Sequence, residues 1–454
     1  MSRSKIPFGP TYEEMLHPRT IAPEVRGKAL KAANKDEMDP INLFNITWKD
    51  VEGRVRKIVL PKELTGVDAN IVVLLGTYLP SGSHKVGPAY TILTEGCVKG
   101  EIVPGEHTIL SFSTGNFGIG VSYICRLLGC RAVVLMPDNM SQERYQQIRK
   151  YGAKIELTSS TASGVILAPE RILELKQDPR NKFLDQFGLM ANYRFHRHVT
   201  GNSAVEAVRS VGNGRIACFV SAPGSGGTIA AGDQVKSVFP EAKVAALEPY
   251  ECSTLANGNT GQHQIAGIGD QVCSLIHNVL TTDFVALVKD DDCVRGLKLL
   301  YDGARSLCKA GVSSEMAEML KNLFGVSGIC NILGAIKMAR YLRLGPGDNV
   351  VTVATDGIDR YYSVLDDLSK RTPGINDTVL ESWYRSIFIE ADSKDIYDFR
   401  MPNDKERLFK QKEKDWLPYG HSQEYLDAMR NMGFWEEEYL LYKKYDQEIT
   451  HLRK

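Results

Sequence analysis

The chain has little that would tie it to nucleic acid, a membrane or a metal. Lysine plus arginine and aspartate plus glutamate each number 55, so the formal net charge is zero. There is no basic excess to follow a phosphate backbone. No apolar run approaches the ~20 residues of a bilayer span. The opening Met1-Ser2-Arg3-Ser4-Lys5-Ile6-Pro7 lacks the apolar core of a secretory leader, and a cytoplasmic location is expected. Nine cysteines are scattered without a C-x-x-C pair. Several of them, such as Cys125, Cys130 and Cys218, lie in apolar segments, which suggests buried free thiols rather than disulfides or zinc. No histidine–cysteine cluster points to haem or another metal, so no metal ligand is assigned. Internal repeats and low-complexity tracts are also missing.

What is present is an alternation of short β-like and helical runs. Thr108–Phe112 reads as a strand and is followed by a helix to Leu128. Strand Ala132–Met136, helix Gln142–Tyr151 and strand Lys154–Leu157 follow. Ala217–Ser221, helix Thr228–Val238 and strand Lys243–Leu247 repeat the scheme, and Val350–Ala354 adds a late strand. Alternation of this kind predicts an α/β fold with parallel sheets covered by helices. From about Thr372 onward the character changes: Trp383, Tyr384, Phe388, Tyr397, Phe399, Trp416, Tyr419, Phe434 and Trp435 are interspersed with charge runs. This reads as a C-terminal helical extension that wraps the core or a partner subunit, or else as a regulatory or lid segment.

Three loops follow strands. Gly224-Ser225-Gly226-Gly227-Thr228 lies between Ala217-Cys218-Phe219-Val220 and an Ala-rich helical run. Backbone N–H groups at such a helix start face outward and the helix dipole favours an anion there. Glycine also lets the backbone approach a phosphate closely. The loop has neither the lysine of a nucleotide P-loop nor G-x-G-x-x-G spacing, so it suggests a single phosphate on a smaller cofactor. Pro80-Ser81-Gly82-Ser83-His84-Lys85 follows the strand-like Ile71–Leu75 and places a lysine among small residues. Ser113-Thr114-Gly115-Asn116-Phe117-Gly118 leads from Thr108–Phe112 into a helix and could clamp a carboxylate. Taken singly, the three are equally compatible with a tight turn, a solvated lysine and an ordinary N-cap.

Together and in this order, the loops resemble those of fold-type-II pyridoxal-phosphate (PLP) enzymes, above all the cysteine synthase and cystathionine β-synthase group. That group has P-S-G-S-x-K, T-S-G-N-T-G and G-T-G-G-T segments. Further likenesses are Met136–Arg144 with M-P-x-x-M-S-x-E-R, Tyr151-Gly152-Ala153, Asp185-Gln186-Phe187, Thr200-Gly201, Glu248-Pro249, His263–Gly269 with H-K-I-x-G-I-G, and Gly325-Val326-Ser327 with G-x-S. The likeness runs from about Asp39 to Ser363. Departures are Phe117 where the sulfhydrylases have threonine, Val86-Gly87 for the usual D-R, and the C-terminal extension. His84 makes a G-S-H-K motif more like that of tryptophan synthase β chains.

The resemblance implies a two-domain fold of the tryptophan synthase β type, with twisted, parallel-rich sheets flanked by helices. The larger, cofactor-binding domain would comprise residues 1–87 and 193–371, the smaller inserted domain 88–192, and the extension 372–454. Lys85 would form the Schiff base with PLP and then serve as the base at Cα. Gly224, Ser225, Gly226, Gly227 and Thr228 would hold the phosphate, with His84 facing it or filling a turn. Asn116 would bond the cofactor's phenolic oxygen, and Ser327 would face the pyridine nitrogen. A hydroxyl there cannot keep that nitrogen protonated, which favours β-elimination over transamination. Ser113, Thr114, Gly115 and Gln186 would bind the substrate carboxylate, and Phe117 would shape the second-substrate side or pack into the core. The implied activity is β-replacement on a serine- or cysteine-type amino acid through an α-aminoacrylate. The alternatives are a β-eliminating lyase that releases a keto acid and ammonia, and a PLP-binding subunit without catalysis. A homodimer acting on small amino acids, with no nucleic-acid or membrane partner, completes the expectation.

Overall fold

The computed structural model describes residues 6–158, 169–391 and 393–453. The leader reading of Met1–Lys5 therefore lies outside the described residues. The strands are β1 (Lys57–Leu60), β2 (Asn70–Leu75), β3 (Thr108–Phe112), β4 (Arg131–Pro137), β5 (Lys154–Thr158), β6 (Asn181–Phe183), β7 (Ile216–Ser221), β8 (Lys243–Pro249), β9 (Phe284–Val288), β10 (Asn349–Ala354) and β11 (Ile396–Asp398). They form a seven-stranded sheet in the order β1-β2-β10-β7-β8-β9-β11 and a four-stranded sheet in the order β5-β4-β3-β6. All pairings are parallel except the two edges, β1 on β2 and β11 on β9. The central strands are runs such as Ile71–Leu75 and Ala245–Leu247, apolar on both faces and fully buried. That is the pattern of parallel strands covered by helices on each side.

The apolar faces of the two sheets meet in one core. Val72, Leu74, Phe219 and Val351 of the larger sheet share it with Ile109 and Val134 of the smaller. Between the sheets run the buried helices Val86–Lys99 and Asn116–Leu128, each entered from one of the predicted loops. The carboxyl ends of β2, β3, β7 and β10 therefore point their following loops at one cleft, where open α/β sheets bind ligands.

Two elements differ from the sequence expectation. The helix after the glycine loop starts as a 3₁₀ turn, Thr228–Ala230, before its α-helical part, Ala231–Val238. The C-terminal region is helical, as expected, but it also supplies β11, which closes the sheet edge at β9. The sheet edge on this side is thereby reduced to the three residues of β11, and a very short edge strand is a poor template for another chain.

The helix Pro402–Trp416 packs on residues 273–277, the segment behind the glycine loop. Asp415 accepts from Cys273 N–H (2.8 Å), Trp416 Nε1 donates to Cys273 O (2.7 Å), and Lys412 Nζ donates to Leu275 O (2.7 Å). Ser274, in the same segment, donates to Gly224 O. Trp416 and Trp435 are fully buried and anchor this contact. The C-terminal region thus braces the loop from behind, within a single chain. No helix among the described residues is long and apolar enough to cross a membrane.

Candidate active site

Lys85 ends a tightly held turn. Ser81 and Gly82 both have positive φ (61° and 71°), and Ser81 is one of few non-glycine residues that do. A strained residue of this kind costs roughly 1–3 kcal/mol and persists only when its surroundings fix it. The fully buried Arg360 does so by donating to Ser81 O and to Gly82 O (3.0 Å). Lys85 then caps the buried helix Val86–Lys99. Its side chain is buried and, among the described residues, Nζ reaches only Ser225 Oγ, at 3.4 Å. Burial pulls the ammonium down to about 8, a shift that Asp270 opposes. Near neutrality such an amine is within reach of its nucleophilic form.

The glycine loop forms the facing wall. Gly226 has φ +80°, and a Cβ there would come within 3.0 Å of His277. A Cβ on Gly227 would lie 2.1 Å from Asn192 Oδ1. Only glycine fits either place. Ser225 Oγ accepts from Asn192 Nδ2 (3.0 Å) as well as from Lys85, which leaves its own O–H free to donate. Among the described residues, no backbone carbonyl takes the N–H of Ser225, Gly226, Gly227 or Thr228. Buried amides without acceptors are a cost that a bound anion removes.

His84 lines the cavity beside this wall. Its Nδ1 can only donate to Thr355 O (3.3 Å), so Nε2 accepts from Thr228 Oγ1 (3.0 Å). Burial, reinforced by Lys85, pulls the imidazole down to about 3 and keeps it neutral. His84 thus orients Thr228.

The asparagine loop closes the third side. Ser113 Oγ accepts from Gly115 N–H (3.0 Å) and Gly118 N–H (2.9 Å), so its oxygen fixes the loop while its O–H stays able to donate. Asn116 Nδ2 donates to Asp356 (2.6 Å), which also accepts from Tyr361 (2.9 Å). Asn116 Oδ1 and Asp356 Oδ1 are buried without hydrogen-bond partners among the described residues. Gln186 lies across the cavity, with Nε2 at 3.5 Å from Phe112 O. Ser327, at the start of the helix Val326–Tyr341, is buried against the same space. One cavity is therefore lined by Lys85, His84, Ser113, Thr114, Asn116, Phe117, Gln186, Gly224–Thr228 and Ser327. Gly115 holds the turn between Thr114 and Asn116, with φ +151°.

Phe117 also belongs to the main core, 1% exposed among Val86, Ile119 and Val134. It is not among the residues lining the larger outer cavity. We expect Phe117→Thr to lower the unfolding free energy by about 3–5 kcal/mol, in the range of a large-to-small core change. Urea unfolding checks this. An unchanged midpoint with an altered choice of nucleophile would instead make the ring a specificity element.

Sequence reasoning missed three contributors. Asp356 and Asn192 position Asn116 and Ser225 from more than thirty residues away in sequence (|i−j| of 240 and 33), so no local pattern announces them. The third is Asp270, directly after the His263–Gly269 motif. It lines the same cavity, and burial pushes its carboxyl up to about 7. An acid following two left-handed glycines, Gly267 and Gly269, was the available signal.

The residues fit PLP: a buried amine held by a single long contact, a wall of amides without acceptors beside the Ser225 hydroxyl, and an asparagine whose oxygen has no partner among the described residues face one another. The comparisons with known proteins agree. The sequence pattern of the pyridoxal-phosphate dependent enzyme family matches residues 52–356. A cysteine synthase of Staphylococcus aureus is 31% identical over 298 residues, covering 65% of this chain and 88% of that protein. Among solved structures, a hydrogen sulfide-producing enzyme from Fusobacterium nucleatum superposes with a TM-score of 0.57 at 28% identity, over 72% of this chain and 91% of that one. The O-acetylserine-dependent cystathionine β-synthase of Helicobacter pylori gives 0.58 at 25% identity, over 70% and 97%.

Proposed function

Since the chain belongs to the family of pyridoxal-phosphate dependent enzymes, we propose that it is a β-replacement enzyme of the cysteine synthase type, acting on a serine- or cysteine-type amino acid. The observation that carries this reading is the convergence of buried Lys85, the unbonded amides of residues 225–228, Asn116 and Ser327 on one cavity. PLP, when bound, supplies the sink that makes the Cα proton acidic. Lys85 Nζ anchors the cofactor, then takes that proton and later returns it. The glycine-loop amides, that of Thr228 included, hold the phosphate together with the Ser225 hydroxyl, while the Thr228 hydroxyl is taken up by His84 Nε2. Asn116, kept in place by Asp356, sets the plane of the ring. Ser327 offers the ring nitrogen a neutral partner. Thr114, Gln186 and the Ser113 O–H receive the substrate carboxylate with neutral donors, which leaves the charge at Lys85 undisturbed.

The homology to cysteine synthases supports replacement over elimination. Elimination is the second reading, and the hydrogen sulfide-producing relative favours it in part. The test is incubation with O-acetyl-L-serine and sulfide, assaying cysteine and pyruvate together. Stoichiometric cysteine supports replacement. Pyruvate and ammonia that ignore added sulfide would make the protein a lyase.

Several coarser expectations join the proposal. The smaller domain is residues 88–192, which hold the four-stranded sheet; the larger is 1–87 with 193–371, and the extension is 372–454. A homodimer in the cytoplasm is proposed with them, supported by the family resemblance and by nine thiols free of disulfides. Sedimentation equilibrium tests the assembly.

A further inference from the structure

Asp270 has no structural task that explains its position. Its side chain is 7% exposed, and its carboxyl takes no hydrogen bond among the described residues. Among the described residues, its backbone oxygen alone is used, accepting from Thr254 Oγ1 (3.1 Å). The carboxyl lies against the glycine loop, with Oδ2 3.4 Å from the place a Gly224 Cβ would occupy. The titratable groups acting on it are Lys85, across the cavity, and the Cys252 thiol, from the segment after β8. Asp270 also lines a second, outer cavity of about 460 Å³ that shares Thr114 and Gly267 with the inner one. It therefore stands where the Lys85 chamber opens toward the route of a second reactant. A buried carboxyl without a partner is costly unless it is neutral or has chemistry to do.

We propose that Asp270 is a catalytic acid–base group acting at the β-substituent, which fits this site to amino acids with a free β-thiol or β-hydroxyl, L-cysteine or L-serine. The inference rests on the β-replacement reading. Acetate departs from an acylated serine as a stable anion and needs no proton. Thiolate and hydroxide are poor leaving groups and do. In the first half-reaction Lys85 Nζ takes the Cα proton. The Cβ–X bond breaks, X leaves with the electron pair, and the Asp270 carboxyl gives X its proton, releasing HX. In the second half the incoming HY gives its proton to the Asp270 carboxylate. Y supplies the electron pair of the new Cβ–Y bond, and Lys85 returns the proton to Cα. The sum is replacement of X by Y with HX as the other product, and both residues regain their starting states. A carboxyl held near neutrality by its burial, at about 7, suits both directions of transfer.

The test uses the PLP-loaded enzyme and its Asp270→Asn variant. The cofactor's absorbance is followed after mixing with O-acetyl-L-serine, L-cysteine or L-serine. Spectral titration with L-alanine, which has no leaving group, reports the integrity of the site separately. The expected result is a loss of about 100-fold or more in the rate of the spectral change with cysteine and serine. The O-acetyl-L-serine rate should stay within about three-fold, and L-alanine should bind as in the wild type, as an acid–base role alone predicts. Asp270→Glu, which keeps the acid, should recover at least about ten-fold of the loss. Equal slowing with all three substrates, or no slowing with any, overturns the proposal. So does a variant pair that cannot hold the cofactor, since Asp270 would then belong to the scaffold. Wild-type enzyme that accepts O-acetyl-L-serine but neither cysteine nor serine also overturns it. Wild-type enzyme inert toward all three amino acids instead overturns the β-replacement reading.

Discussion

Lys85→Ala is expected to lose all turnover, together with exchange of the substrate Cα proton in deuterated water. One amine serves as anchor and as base, and among the described residues no second lysine lines the cavity. Losing a positioned base alone costs about 10²–10⁴-fold, and losing the nucleophile adds to it. Proton NMR of the α position measures the exchange without requiring product. Folding should survive, because the Lys85 ammonium is a burden on the apoprotein. Burial lowers its folded value from the ordinary lysine range to about 8. Below about pH 8 the unfolded chain carries a charge that the folded chain buries at a cost. Above ~10.4 both states are neutral and the cost is gone. Lys85→Met apoprotein should therefore be the more stable at pH 7, by roughly 3 kcal/mol, and the gap should close as pH rises through 8 to 10.4. Thermal melts across that range check the sign. A variant less stable than the wild type at pH 7 would mean that Lys85 has a partner in the apoprotein.

Gly226→Asp is expected to expel the cofactor, and Gly226→Ala only to weaken it. Gly226 sits at φ +80° with His277 and Ser274 packed behind it. Any side chain is strained there, by about 1–2 kcal/mol for the left-handed backbone, and both substitutions share that cost. Aspartate adds a negative charge beside a phosphate. Two unit charges about 4 Å apart interact by about 4 kcal/mol at an effective dielectric near 20, or roughly a thousand-fold in affinity. Fluorescence titration of the apoproteins with PLP gives both constants. Equal affinities for the alanine and aspartate variants would remove the phosphate from this loop.

Much of the site could be read from the sequence because its parts are local. Each loop follows a mainly apolar strand, unbroken in Ile71–Leu75 and interrupted by Ser111 in Thr108–Phe112, and glycine or proline marks the turn. Strand ends at Phe112 and Ser221 fall where the pattern predicts them. The short edge strands β1, β6 and β11, of three or four residues, carry too few positions to show a period. Five-residue β9 lies between a loop and a helix without glycine punctuation at its start. The brace from Lys412, Asp415 and Trp416 to residues 273–277 escaped for another reason. The aromatic residues were visible as anchors, but what they anchor to lies some 140 residues upstream (|i−j| of 137 to 143) and is held through backbone carbonyls and an amide N–H, which have no sequence signature. Asp356 behind Asn116 and Asn192 behind Ser225 are supports of the same kind.

The most direct measurement is borohydride reduction of the PLP-loaded protein followed by peptide mapping. The account predicts one reduced pyridoxyl adduct, on Lys85, and loss of the visible absorbance in step with its appearance. An adduct on a different lysine, or folded protein that binds PLP without forming any reducible bond, would contradict it.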